Sequence, residues 1–213
     1  LLLSPLFLLG APFYIIRLRQ LEESDPDINI RPERERVEQL SRQEDHFETN
    51  QFNVFGQVKP GWFRIATIKF LLWIVDYTAR HIYNRGYLTR IQTINFARWV
   101  LLDGNRRVFF ASNYDGSLDS YMDDFINKVG WGLNLVFSNG IGYPPTRWLI
   151  KGGASFEGRY KKTLRRNQLP SETWYKAYPG INAIEMARNT RIRKGLEKSI
   201  PGDREVREWL ALL

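Results

Sequence analysis

The densest run of residues that could do chemistry is SNYDGSLDSYMDDFI, residues 112–126. Four aspartates stand in it: Asp115, Asp119, Asp123 and Asp124. Asn113, Asp115 and Ser117 have the alternate spacing that opens an EF-hand calcium loop. Leu118 stands where that loop requires glycine, however, and no glutamate closes it. The stretch reads instead as a joint between a strand and a helix. Leu118, Tyr121, Met122, Phe125, Ile126 and Val129 recur at helical spacing and mark one apolar face. Ser117 is a good N-cap, and Asp119 lies in the first turn, where the helix dipole favours negative charge. Asp115-Gly116 supplies the turn, and Asp123 and Asp124 point away from the apolar face. No metal site is expected.

The remaining reactive residues are few. The chain has two histidines, His46 and His81, and no cysteine. Thiolate nucleophiles, disulfides and thiolate-held zinc or iron–sulfur centres are therefore excluded. No Ser–His–acid pattern, HExxH or paired histidine occurs. His81 follows an aromatic segment, with Asp76 about one turn before it, a position suited to a haem or quinone ligand. His46 adjoins a polar stretch. Gly140 and Gly142 form a GxG, but no strand–loop–helix phosphate loop comes after it.

The elements that must position these residues begin with LLLSPLFLLGAPFYII, sixteen residues without a charge, followed by Arg17 and Arg19. A membrane span needs roughly 20 apolar residues. The chain does not start with methionine, and the run reads as the end of a transmembrane or membrane-anchoring segment, residues 1–19. A signal peptide would place its charges first and end in small residues. Arginines at the exit favour the cytoplasmic side for the rest of the chain. Residues 20–45 are polar, broken by Asp25-Pro26 and Arg31-Pro32, and read as a charged, solvated tether.

Residues 46–88 hold a turn at Lys59-Pro60-Gly61 and an aromatic helix, with Trp62, Phe63, Phe70, Trp73, Tyr77 and Tyr83 among its apolar residues. Its longest uncharged run, Phe70 to Val75, is too short to span a bilayer. A helix apolar nearly all round must be buried or lie at an interface, and Trp and Tyr suit the second. Residues 89–200 form an α+β domain. IQTINFARWVLLD and RRVFFASNYD read as a hairpin about Asp103-Gly104-Asn105. Val108 to Ala111 are apolar on both alternating faces, as in a central strand covered on both sides. TWYKAYPG reads as a short strand, and a closing helix capped by Asn182 runs to Gly202. Residues 201–213 form a C-terminal tail.

The formal charge is +8, and the segment from Arg147 to Gln168 supplies +6 of it. Arg159, Lys161, Lys162, Arg165 and Arg166 fall on one basic helix. Near a membrane such a cluster meets anionic phospholipid rather than nucleic acid.

The motifs EDHFETNQFNVFGQVKPGWFR, IQTINFARWVLLDG, RVFFASNYDGSLDSYMDDFI and WYKAYPG resemble a poorly characterised group of bacterial proteins, over roughly residues 44–195. The FARW strand and the SNYDG joint recur there in this order. The resemblance implies a ferredoxin-like α+β sheet with packed helices, loosely similar to the barrels of dye-decolourising peroxidases and chlorite dismutases. Histidine usually precedes FARW in that group, where this chain has Asn95, and no catalytic residue carries over. The expected function is a non-catalytic accessory or scaffolding subunit of a membrane-bound complex, without a cofactor. Its aromatic helix and basic segment would contact partner subunits or anionic phospholipid. The rivals are a haem-dependent peroxidase-like oxidoreductase with His81 or His46 as axial ligand, and a membrane-anchored lipid-binding module.

Overall fold

The structure is a computed structural model that describes residues 4–82, 94–197 and 202–213. Among the described residues it is a mixed α+β fold of seven α-helices, a four-stranded sheet and a two-stranded hairpin. The first half of the chain supplies helices α1 (Ser4–Ser24) and α2 (Arg34–Ser41), strand β1 (Thr49–Gln57), helix α3 (Trp62–His81) and strand β2 (Ile94–Leu102). Strand β3 (Arg107–Asp115), helix α4 (Leu118–Phe137), strands β4 (Thr146–Arg147) and β5 (Lys151–Gly152) and helix α5 (Glu157–Asn167) come next. Strand β6 (Gln168–Leu169) and helices α6 (Ala183–Leu196) and α7 (Asp203–Leu210) complete the series. Tyr83 and the first residues of the expected strand IQTINFARW lie outside the described residues.

The larger sheet is antiparallel in the order β2-β3-β1-β6. The β2–β3 hairpin turns as expected at Asp103, Gly104 and Asn105, all with positive φ. Along β3 the buried residues alternate: Val108, Phe110, Ser112 and Tyr114 share one face. Phe52 and Val54 of β1 join them, and Leu118, Tyr121, Met122, Phe125 and Leu133 of α4 cover them. Ile68 of α3 and Val136 of α4 meet Val108 on the same face. Among the described residues, helices therefore pack on one face of β3 rather than on two. Phe109 and Ala111 on the opposite face are only half-buried. A half-open sheet thus satisfies the period-2 alternation despite the apolar residues on both sides.

The SNYDG joint is built as its spacing predicts. Gly116 takes φ 80°, and the Ser117 hydroxyl accepts from the Ser120 amide. Asp115 is buried and accepts from the Thr49 hydroxyl, the Asn95 amide and the Ala183 backbone N–H at 2.9, 2.7 and 2.8 Å. It thus ties β1, the irregular start of β2 and the entry to α6 together. Asp123 pairs with Lys161 and Asp124 with Lys128, so both acids serve as surface ion pairs. Helix α4 continues beyond the apolar face read from Leu118 to Val129 and ends at Phe137, with a kink at Val129 just before Gly130.

Several expectations need correction. Among the described residues no helix is long and apolar enough to cross a membrane. The apolar run stops at Ile16, and the rest of α1 carries Arg17, Arg19, Glu22 and Glu23 on a helix that continues to Ser24. The stretch TWYKAYPG forms no strand. The edge strand is β6, and Trp174 beyond it donates from Nε1 to the Thr49 carbonyl at 3.3 Å. The closing helix has the capping box of Asn182 and Glu185 and ends at Leu196; residues 198–201 lie outside the described residues. The tail contains α7, fastened by the Trp209 indole N–H to the Ile192 carbonyl at 3.0 Å.

Tyr114, Tyr121, Tyr143 and Tyr160 are all buried in the core. Burial pushes each phenol above its ordinary value of 10.0, because an apolar surround disfavours the phenolate. A folded-state pKa above the unfolded one gives stability that is fully present below pH 10.0 and is lost as pH climbs beyond it. Tyrosinate absorbance should therefore appear together with loss of circular dichroism in an alkaline titration. Phenolates that form from these four residues in a still-folded chain would contradict this.

Candidate apolar docking surface

Helix α3 is apolar nearly all round, and the fold uses its two sides differently. Phe63, Ile68 and Leu71 face the interior. Phe63, expected as a contact residue, is mostly buried: it packs with Leu18, Leu71 and Leu149 and with them lines the groove described below. Its neighbours point outward, with Trp62 73 %, Phe70 53 %, Trp73 61 % and Tyr77 51 % exposed. Phe70, Trp73 and Tyr77 stack in sequence with ring centroids 6.0 Å apart, as i, i+3 and i+4 spacing on a helix allows.

Helix α1 lies against this helix. The Tyr14 ring is 5.0 Å from that of Phe63, and its hydroxyl is 3.2 Å from the Thr67 hydroxyl. Between the two helices runs a groove of about 1070 Å³, bordered at one side by Trp148 and Leu149. Gly10, Ala11, Phe13 and Ile15 line it from α1; Trp62, Ala66 and Phe70 line it from α3. Gly10 has no neighbour where a Cβ would stand, so the groove is open there. Phe13, Ile15 and Ile16 are themselves largely exposed, which extends the apolar surface along α1.

What holds α1 in place is ionic. The Glu22 carboxylate is buried and accepts from the Thr146 hydroxyl and from the backbone N–H groups of Trp148 and Leu149, at 3.0, 2.9 and 2.9 Å. Trp148 and Leu149 both have positive φ, and Glu22 satisfies the amides that this turn exposes. Just beyond the helix, Asp25 pairs with Lys59 at 2.7 Å and with the buried Arg64. Burial pulls the Lys59 pKa down, against the hydrogen bond to Asp25 that supports its charge. Residues 20–45, read as a solvated tether, are thus bound to the domain. Asp27 pairs with Arg159, and Glu44 with Arg165 and the Gln168 side chain.

The same ion pairs change the meaning of the basic segment. Lys161 is held by Asp123 and Glu157, at 2.7 and 2.8 Å, and these bonds raise its pKa. Lys162 and Arg166 lie half-buried on the same helix. Much of the positive charge on α5 is therefore neutralised inside the molecule. The two histidines are not brought to the groove. His46 Nε2 bonds the Arg42 carbonyl, and the exposed His81 ring lies 4.5 Å from Tyr77. Among the described residues no group of three or more His, Cys, Asp or Glu could hold a metal ion.

Two organising residues carried no sequence signal. One is Glu22, an ordinary-looking helix acid. The other is Asn134, buried in α4, which donates to the Ile150 and Gly152 carbonyls and accepts from the Tyr143 hydroxyl and the Ala154 amide. A glycine pair was the available hint: a Cβ on Gly153 would stand 2.1 Å from Asn134 Oδ1. Compared with family models, with curated proteins and with solved structures, the chain matches none.

Replacing Glu22 with alanine should leave the buried Leu149 amide and the part-buried Trp148 amide unpartnered, at a cost of about 2 kcal/mol. The substitution should also free α1. Limited trypsin digestion should then cut at Arg17 and Arg19 in Glu22→Ala well before it does so in the parent chain. Equal cleavage rates would show that Glu22 does not fasten the helix.

Proposed function

We propose that this chain is a non-catalytic accessory subunit of a membrane-bound assembly. In this reading the α1–α3 surface enters the lipid–water interface. The observation that carries the reading is the continuity of the groove with the exposed Phe70–Trp73–Tyr77 ladder and with Phe13, Ile15 and Ile16. An exposed apolar surface of this extent, rich in Trp and Tyr, suits a boundary where ring bodies enter lipid and polar tips stay wet. Arg17 and Lys69 are exposed on the same two helices and supply charge for phospholipid heads. The fold would hold this surface on a ferredoxin-like scaffold. The β1–α3–β2–β3–α4 order, with β6 returning beside β1, supports that description.

The full chain should bind phosphatidylcholine vesicles with a blue shift of tryptophan emission. The double substitution Trp62→Ser, Trp73→Ser should weaken binding by about several hundredfold, since two buried aromatics at roughly 2 kcal/mol each amount to about 4 kcal/mol. Both side chains are exposed, so thermal stability should change little. A native chain that floats free of vesicles in a density gradient, with unshifted emission, would end this reading.

A further inference from the structure

We propose that a second recess, unrelated to the α1–α3 groove, binds the phosphate group of a phosphorylated small molecule or lipid head. It lies where β1 ends and β3 begins, in register through Gln57 and Arg107. The recess encloses about 380 Å³ and is lined by Phe55, Gln57, Arg107, Ile141, Arg166 and Asn167. That volume is near the lower end for small-ligand sites, roughly 300–1,000 Å³.

The walls are fixed by backbone. The Ile141 N–H donates to the Gln57 carbonyl at 2.8 Å, and Val58 bridges to Gly140. Arg166 is seated against Gly142, where a Cβ would stand 2.1 Å from its Nη2. Gly142 also has φ 80°, so glycine suits the turn, and a Cβ there would push the guanidinium from its present seat.

Charge defines the ligand. Among the described residues no carboxylate lines the recess, and two arginines do. Arg107 lies over the Phe55 ring, 5.5 Å from its centroid, which orients the fork. Its ion pair with Asp103, at 3.1 Å, is about half exposed on both sides and is therefore a weak one that a phosphate can displace. Arg166, in the last turn of α5, meets no acidic partner among the described residues, whereas its neighbour Arg165 holds Glu44. Guanidinium groups remain charged at any ordinary pH, and their planar forks match phosphate oxygens two at a time. Both arginines line this one recess, and a bound phosphate would answer both charges. Gln57 and Asn167 place amides at the same rim.

The test uses the full chain with inorganic phosphate and phosphoethanolamine, read by calorimetry against chloride at equal ionic strength. Phosphatidylglycerol vesicles are compared with phosphatidylcholine vesicles in parallel. Arg107→Gln and Arg166→Gln should each weaken phosphate binding by about tenfold, the scale of one lost charge-assisted contact. Arg188→Gln on the exposed side of α6 removes the same charge elsewhere and should change nothing. Binding of the soluble probes alone assigns the site to a small phosphorylated molecule. A phosphatidylglycerol preference that disappears in the two recess variants assigns it to a lipid head. If neither probe class binds, or if the recess variants match Arg188→Gln, the proposal is overturned. Neither result depends on Trp62 and Trp73, so this site and the membrane reading stand or fall separately.

Discussion

The buried carboxylate of Glu22 is the constraint on which the surface of this molecule depends. It stands on the second half of a helix whose first half is greasy, and it bonds two amides that the β4–β5 turn leaves bare. Without it, α1 would keep the apolar contacts of Leu18, Tyr14 and Leu21, the Tyr14–Thr67 contact and the Asp25 ion pairs beyond its end, but would lose its tie to the β4–β5 turn. With it, α1 is held at a fixed place, and the space between the two helices becomes a groove with defined walls. A buried carboxylate is costly unless every acceptor lobe is used, and here the turn supplies the donors. The groove is therefore a consequence of polar bonding at its edge rather than of apolar attraction across it.

Pairing of buried and half-buried charge also governs the basic helix. A run of lysines and arginines reads as a surface for anions, and composition cannot say whether those charges are already answered. In the folded chain Asp27, Glu44 and Asp123 come from separate parts of the sequence, and Glu157 from α5 itself, to answer most of them. Each exposed pair contributes little to stability on its own. Together they bind residues 20–45 to the domain and leave Arg166 as the α5 charge turned toward a recess. Net charge thus locates the α5 segment correctly and misjudges what it does.

Asp115 and Asn134 show a related division of labour. Each is buried, and each bonds three or four groups brought in from other elements. Asp115 holds the sheet to the entry of α6, and Asn134 holds the loop after α4 to that helix. The acidic stretch that first suggests calcium chemistry is in this way a mechanical joint. The position before FARW, occupied by Asn95, belongs to the same joint through its bond to Asp115.

Local order was legible in the residues themselves. The Asp103-Gly104-Asn105 hairpin, the Ser117 cap, the apolar face of α4, the Asn182 cap and the helical nature of residues 62–81 all arise from short-range sterics and helical periodicity, which act within a few residues. What only the tertiary structure decided was which faces are covered and which charges are paired. Phe63 and Trp62 are adjacent and similar in type, yet one is buried against Tyr14 and Leu18 of α1 and the other is open at the groove's edge. Phe109 looks as buried as Phe110 until both helices settle on a single side of the sheet. The two-residue strand β6, the bound course of residues 20–45 and the role of Glu22 depend on partners more than a hundred residues away. Sequence periodicity reports the shape of one element, whereas burial and ion pairing are properties of two elements brought together.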